Sequence, residues 1–253
     1  PEAEIEQIRR LRDGSDVDAF VLTATFHGDP RTEWLIDNHV PFVTFGRPWG
    51  IDDMNDPQHL WVDVDGSAGV RAATEHLIDS GATHVHYMGW PSPSGTGDDR
   101  RQGWADAMRT RLHSDDAALA ALAGVTVEDV AKATAVVLDL LERHPEIDGL
   151  VCVSDSLALG AMIAAASIGR ADLPIVGFDN TPLAQALGFS SVEQRLELVA
   201  SGVLELLMGA AGSDLIGRTP SPGEAHRLIT PELVVRRPGK LPIFESSPTD
   251  SQS

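Results

Sequence analysis

Residues 148–162 read DGLVCVSDSLALGAM. Positions 149–153 carry almost no polarity; then Ser154 and Asp155 arrive together, and an apolar helical pattern starts at Leu157. A second stretch, LPIVGFDN at 173–180, repeats the design and ends its apolar run at Asp179. Apolar runs of four to six residues, without alternation, suit strands buried on both faces. The question is why such strands end in small oxygen-bearing residues where the next segment begins.

Outward from these stretches the chain alternates strand and helix. EIEQIRRLRDG is a predicted helix with Ile5, Ile8 and Leu11 on one face, AFVLTA a short strand, RTEWLIDNHV a helix, and PFVTFG and HLWVDVD strands. SAGVRAATEHLIDSG reads as a helix stopped by Gly81, HVHYMGW as a strand, and RRQGWADAMRTRL as a helix. VEDVAKATAVVLDLLERHP is a long amphipathic helix ended by Pro145, and EQRLELVASGVLELLMGAAG a further helix. HRLITPELVVRRP holds one or two closing strands, and the polar tail 241–253 is expected to fray. The expected fold class is therefore α/β, with parallel, doubly wound sheets. Such sheets bind ligands outside the carboxyl ends of their strands. That points to the loops 23–28, 46–50, 65–67, 89–100, 154–156 and 179–194.

Composition narrows the functions. The 253 residues carry 38 acidic and 19 basic side chains, a net charge of −19. A surface this acidic repels phosphate backbones, so these residues themselves are not expected to grip DNA. No apolar run approaches the roughly 18 residues of a membrane span. The opening stretch PEAEIEQIRRLRDG lacks the apolar core of a signal peptide and reads as mid-domain sequence. Cys152 is the single cysteine, which excludes a disulfide framework and fits a reducing cytoplasm.

Several residues at the strand ends could carry chemistry. Ser154 or Asp155 could cap the following helix or present oxygens to a ligand. Asp179 sits where a buried carboxylate needs a cation, donors or a polar ligand, or else serves a turn. Arg100, one helical turn before Gly103, is the better inward candidate of the pair Arg100–Arg101. Its fork could grip vicinal hydroxyls, or pair at the surface with Asp98 or Asp99. Trp49 and Trp90 follow strands and offer aromatic faces to a sugar or base, unless both are core. His84 and His86 alternate along a strand and read as structural rather than metal-binding. No nucleophile elbow, phosphate loop or zinc-protease histidine pair occurs, so no catalytic residue, metal or cofactor is expected.

Taken together, VDVDGSAGVRAATEHLIDSGATHVHYMGW, DDRRQGWADAM, DGLVCVSDSLALGAM, LPIVGFDNTPLA, SSVEQ and ITPELVVRRPG resemble the effector-binding domain of the LacI/GalR family of bacterial transcriptional repressors. The resemblance covers nearly all of 2–240. It implies two Rossmann-like lobes like those of type I periplasmic binding proteins: 1–84 with 194–222, and 85–193 with 223–240. It implies a small effector, a sugar or sugar derivative, held between the lobes by Arg100, Asp179, Ser154 and Gln194. It further implies a cytoplasmic homodimer that reaches operator DNA through a helix-turn-helix outside these residues, followed in the family by a strand, a helix and a second strand expected before Pro1. An exported solute-binding protein would share the fold. Within its length this sequence departs from the family pattern in five places: Ser154 where an asparagine is usual, no aromatic near Val125, Gly46 where aspartate is common, a shortened loop before SSVEQ, and Arg195 in place of proline.

Overall fold

A computed structural model describes residues 1–211 and 222–236; the tail 241–253 lies outside them. In chain order the first elements are α1 (Glu2–Asp13), β1 (Phe20–Leu22), α2 (Pro30–Asp37), β2 (Phe42–Phe45), β3 (Leu60–Val64) and α3 (Gly66–Asp79). There follow β4 (Val85–Gly89), α4 (Thr96–Leu112), α5 (Asp116–Ala121), β5 (Ala123–Val125), α6 (Val130–Arg143), β6 (Gly149–Cys152) and α7 (Asp155–Ser167). The last are β7 (Ile175–Phe178), α8 (Pro182–Leu187), β8 (Ser190–Glu193), α9 (Leu196–Ala211), α10 (Pro222–Ala225), β9 (His226–Ile229) and β10 (Glu232–Val234). The alternation read from the sequence follows this α/β order, but α5, β5, α8, β8 and α10 are additional to it. No helix among the described residues is long and apolar enough to cross a membrane.

The chain groups into two compact units. The first comprises Pro1–Gly66, Ser92–Asp98 and Gln194–Pro231; the second comprises Ser67–Pro91, Asp99–Glu193 and the chain from Glu232. This differs from the division expected at 84/85 and 222/223. The helix α3 groups with the second unit, and the loop Ser92–Asp98 with the first. The closing segment also splits. Strand β9 pairs in parallel with β3 in the first unit, whereas β10 pairs antiparallel with β8 in the second. The two strands suspected in HRLITPELVV thus close two different sheets.

The first sheet has the order β1-β2-β3-β9, all parallel. Ile8, Leu22, Leu35, Val40 and Phe42 form one of its cores, so α1 contributes Ile8 alone of the three apolar residues expected on its buried face. Gly46, where the resemblance led us to expect aspartate, has φ 120°, and a Cβ there would overlap the Thr25 hydroxyl. The backbone, not a ligand, accounts for the glycine.

The second sheet has the order β10-β8-β7-β6-β4-β5, parallel throughout except for β10. Its central strands are buried on both faces, which is why they read as unbroken apolar runs. Helix α7 is buried on nearly every side: Leu157, Ala158, Ala161, Ala164 and Ala165 are at most 1% exposed. A Cβ on Gly160 would crowd Ala133 and the Val130 carbonyl of α6, so the small residues let α6 and α7 approach closely. Helix α6 and the sheet thus cover α7 within the chain.

Candidate functional site

Six residues of the second unit meet at the carboxyl ends of β4, β6 and β7: Trp90, Arg100, Glu128, Ser154, Phe178 and Asp179. Four of them were named by sequence. Arg100 is 5% exposed, whereas its neighbour Arg101 faces solvent, so the inward choice follows from the helix α4. Its Nη1 donates to the Val153 carbonyl at 2.6 Å, and its Nη2 lies 3.6 Å from Asp179 Oδ1. Its Cζ sits 3.6 Å from the ring centroid of Phe178 and 5.5 Å from that of Trp90. The guanidinium is thus held by a carbonyl, a carboxylate and two aromatic faces, an arrangement that fixes the direction of its planar fork.

The surface partners considered for Arg100, Asp98 and Asp99, have contacts of their own. Helix α4 starts earlier than expected, at Thr96, and both aspartates are engaged elsewhere. Asp98 accepts from the Ser94 amide at 2.9 Å and from the Ser92 hydroxyl. Asp99 accepts from the Ser67 amide in the first turn of α3 at 3.1 Å, satisfying one of that helix's free N–H groups.

The turn after β7 is strained and pinned. Asp179 has φ 103° and Asn180 φ 45°, a region that side-chain-bearing residues seldom occupy. The Asp179 amide donates to the Val192 carbonyl at 2.8 Å, and the Asn180 amide to Ser191 Oγ at 2.9 Å. Asn180 Nδ2 donates to Glu193 at 2.7 Å, and Arg236 donates to Asn180 Oδ1 at 2.7 Å. Such conformations persist only where neighbours over-determine them, and they concentrate at functional positions. Asp179 keeps 30% of its side chain exposed while facing Arg100.

The opening question has a divided answer. Ser154 is the N-cap of α7: its Oγ accepts from the Leu157 amide at 3.3 Å and donates to Glu128 at 2.9–3.0 Å. Asp155 has no oxygen left for a ligand. It is 1% exposed, and Oδ1 accepts from Ser191 Oγ at 2.6 Å while Oδ2 accepts the Thr181 amide and hydroxyl, each at 2.7 Å. It clamps α7 to the turn after β7. Burial raises the Asp155 carboxyl above its ordinary range, against the opposing pull of these hydrogen bonds.

Glu128 was missed by sequence. Its Oε2 accepts from Trp90 Nε1 at 2.7 Å and both oxygens face Ser154 Oγ. The Trp90 indole is therefore anchored at its N–H. The signal that could have found Glu128 is the loop after β5, which lies three residues past Val125 at a strand's carboxyl end.

Trp49 and Gln194 are not part of this cluster; both fall in the first unit. The Trp49 ring lies 4.3 Å from the Arg47 guanidinium, whose Nε pairs with Asp63 at 2.7 Å, and a Cβ on Gly95 would overlap the ring. Gln194 is half-buried directly after β8. His86 is fully buried in β4, while His84 lies outside the strand and exposed, so the shared face expected for them is broken. Among the described residues no group of three or more metal-ligating side chains could hold an ion.

The model of the periplasmic binding protein-like domain matches residues 74–237. The chain is 28% identical over 241 residues to the HTH-type transcriptional regulator CelR of Thermobifida fusca, covering 93% of this chain and 67% of that protein. Among solved structures, a regulatory protein of the LacI family from Chloroflexus aggregans matches at TM-score 0.81 and 33% identity, over 93% of this chain and 81% of that one. A complex of the transcriptional regulator CelR with cellobiose matches at TM-score 0.80 and 26% identity, over 94% and 71%. The chain spans from 67% down to 51% of the length of the first two curated relatives it matches.

Proposed function

The chain belongs to the LacI family of transcriptional regulators, with a periplasmic binding protein-like domain, and on that premise we propose that it is the effector-sensing part of a repressor. The family is regulatory rather than enzymatic. The effector is a sugar or sugar derivative held between the two lobes, with Arg100, Asp179, Ser154 and Trp90 supplying recognition from the second unit. The observation that carries this reading is the Arg100–Asp179 pair on a strained, pinned turn at the carboxyl ends of parallel strands. The cellobiose complex of a similar regulator supports the substrate class. Trp49 and Gln194 of the first unit complete the proposed ligand set.

In the whole protein the domain would act as a cytoplasmic homodimer on operator DNA, through a helix-turn-helix outside these residues. Effector and operator then alter each other's affinity by the same factor, as linkage requires. The test is a thermal-shift and calorimetric screen over glucose, galactose, ribose, xylose and cellobiose. A true effector at a hundredfold excess over its Kd adds about 2.7 kcal/mol of stability. Absence of any shift across the panel at millimolar concentration counts against a sugar sensor.

A further inference from the structure

We propose that Glu128 sets the charge selectivity of the effector site, admitting polyhydroxylated ligands without an anionic group and rejecting phosphorylated or carboxylated ones. The inference rests on the sensing role proposed above and deepens it. The six-residue cluster contains one guanidinium, on Arg100, and two carboxylates, on Glu128 and Asp179. The Arg100 charge is already engaged: a carbonyl lies at 2.6 Å, Asp179 at 3.6 Å and the Phe178 ring at 3.6 Å. Glu128 then adds a negative charge for which none of the contacts described supplies a cation. Its neighbours there are two neutral donors, Ser154 Oγ and Trp90 Nε1.

The chemistry follows from what these groups can accept. Ionised carboxylates are acceptors only, each with about four lone-pair sites. Glu128 uses part of that capacity on Ser154 and Trp90 and remains an exposed side chain. A hydroxyl or an ammonium can donate to it. A phosphate or carboxylate cannot, and would face two like charges against one arginine. Like-charge juxtaposition across a binding surface disfavours the anionic partner. The two anchors also fix the carboxylate's position, so that the repulsion has a defined direction.

The test uses matched pairs on the full chain: glucose with glucose 6-phosphate, galactose with galactose 6-phosphate, and ribose with ribose 5-phosphate. Calorimetry is run on the parent protein and on Glu128→Gln and Glu128→Lys. The parent should bind the neutral member of the best pair at least about tenfold more tightly than its phosphate ester. Glu128→Gln keeps an acceptor for Trp90 and should narrow that ratio to within about threefold, and Glu128→Lys should invert it. Unchanged melting midpoints would show that both variants fold. A phosphate ester that binds the parent as tightly as the neutral sugar overturns the proposal. So does a ratio that is the same in all three proteins, which would leave the sensing role intact. If the parent binds only xylose or cellobiose, the same comparison is made with that sugar and its phosphate ester; binding of none of the panel would overturn the sensing role and this inference with it.

Discussion

Arg100 Nη2 and Asp179 Oδ1 stand 3.6 Å apart, an ion pair longer than a hydrogen bond, one partner from the first turns of α4 and the other just past the end of β7. The spacing leaves both groups able to bond to a third. A ligand hydroxyl can donate to the carboxylate and accept from the guanidinium, and each contact to a charged group contributes about 1.5–3 kcal/mol. Asp179→Asn and Arg100→Ala should each weaken effector binding by roughly ten- to a hundredfold. Calorimetry with the sugar identified by the screen is the measurement. Parent-like affinity in both variants would remove this pair from the binding site.

Asp155 makes the opposite prediction. Its donors come from buried Ser191 and half-buried Thr181, and Asp155→Ala leaves the Thr181 amide, the Thr181 hydroxyl and the Ser191 hydroxyl without their acceptor. Orphaned buried donors cost about 1–3 kcal/mol each where water cannot reach them. We expect a loss of about 3 kcal/mol in urea unfolding, with the slope unchanged. A variant as stable as the parent would mean that the clamp is dispensable.

The sequence made the buried strands legible because both faces are covered, and it made Arg100 legible because Gly103 and Trp104 fix which side of α4 points inward. It left Asp155 open, since a helix-start carboxylate looks the same whether it serves a ligand or a neighbouring turn. The donors that decide the matter, Thr181 and Ser191, lie 26 and 36 residues away. Glu128 was invisible for a related reason. Strand β5 is three residues long, so its carboxyl-end loop was not recognised as one. The fate of the closing strands depends on pairing with β3 and β8, which no local pattern encodes.

Cys152 should be inert in the folded protein. It is fully buried in β6, and burial, reinforced by Asp155 and Glu128, pushes its thiol far above the ordinary range. The thiolate is the reactive species, so a disulfide reagent such as DTNB should label no thiol under native conditions and one per chain in guanidinium. Rapid native labelling would contradict the burial.

His86 provides a pH signature. Both of its ring nitrogens are buried without a hydrogen-bond partner, beside His144 at 5.1 Å between ring centroids. Burial, with the neighbouring His144 adding to it, lowers its pKa to about 4 from 6.5. A depressed folded-state pKa gives stability that is fully present above the unfolded value and lost as pH falls toward the folded one. Between pH 6.5 and 4 the unfolded chain takes up a proton that the folded chain refuses. The contribution is about 3 kcal/mol over that window. His86→Leu should flatten this part of the stability profile and leave stability at pH 7 unchanged or higher, because two unsatisfied polar atoms are removed. Melting curves at half-unit intervals from pH 4 to pH 7 in both proteins are the check. Parallel profiles would place the acid sensitivity elsewhere.

Gly103 ties the fold to the site. It lies one turn after Arg100 in α4, and a Cβ there would overlap the Ser67 carbonyl oxygen in the first turn of α3. That obstacle is backbone and cannot rotate away. Gly103→Ala must therefore push α4 off α3, the direction in which the Asp99 contact to the Ser67 amide also stretches. Overpacking of this kind costs about 1–3 kcal/mol, against a gain of roughly 1 kcal/mol in helix propensity. The same displacement moves Arg100, whose carbonyl contact to Val153 at 2.6 Å leaves little slack. We expect a lower melting midpoint together with a weaker effector affinity, although residue 103 makes none of the contacts described for the cluster. Gln102→Ala, on the exposed side of the same turn, should change neither beyond the loss of its surface bond to Asp106. If Gly103→Ala melts and binds like Gln102→Ala, then α3 and α4 are not held at the separation that places the Arg100 fork.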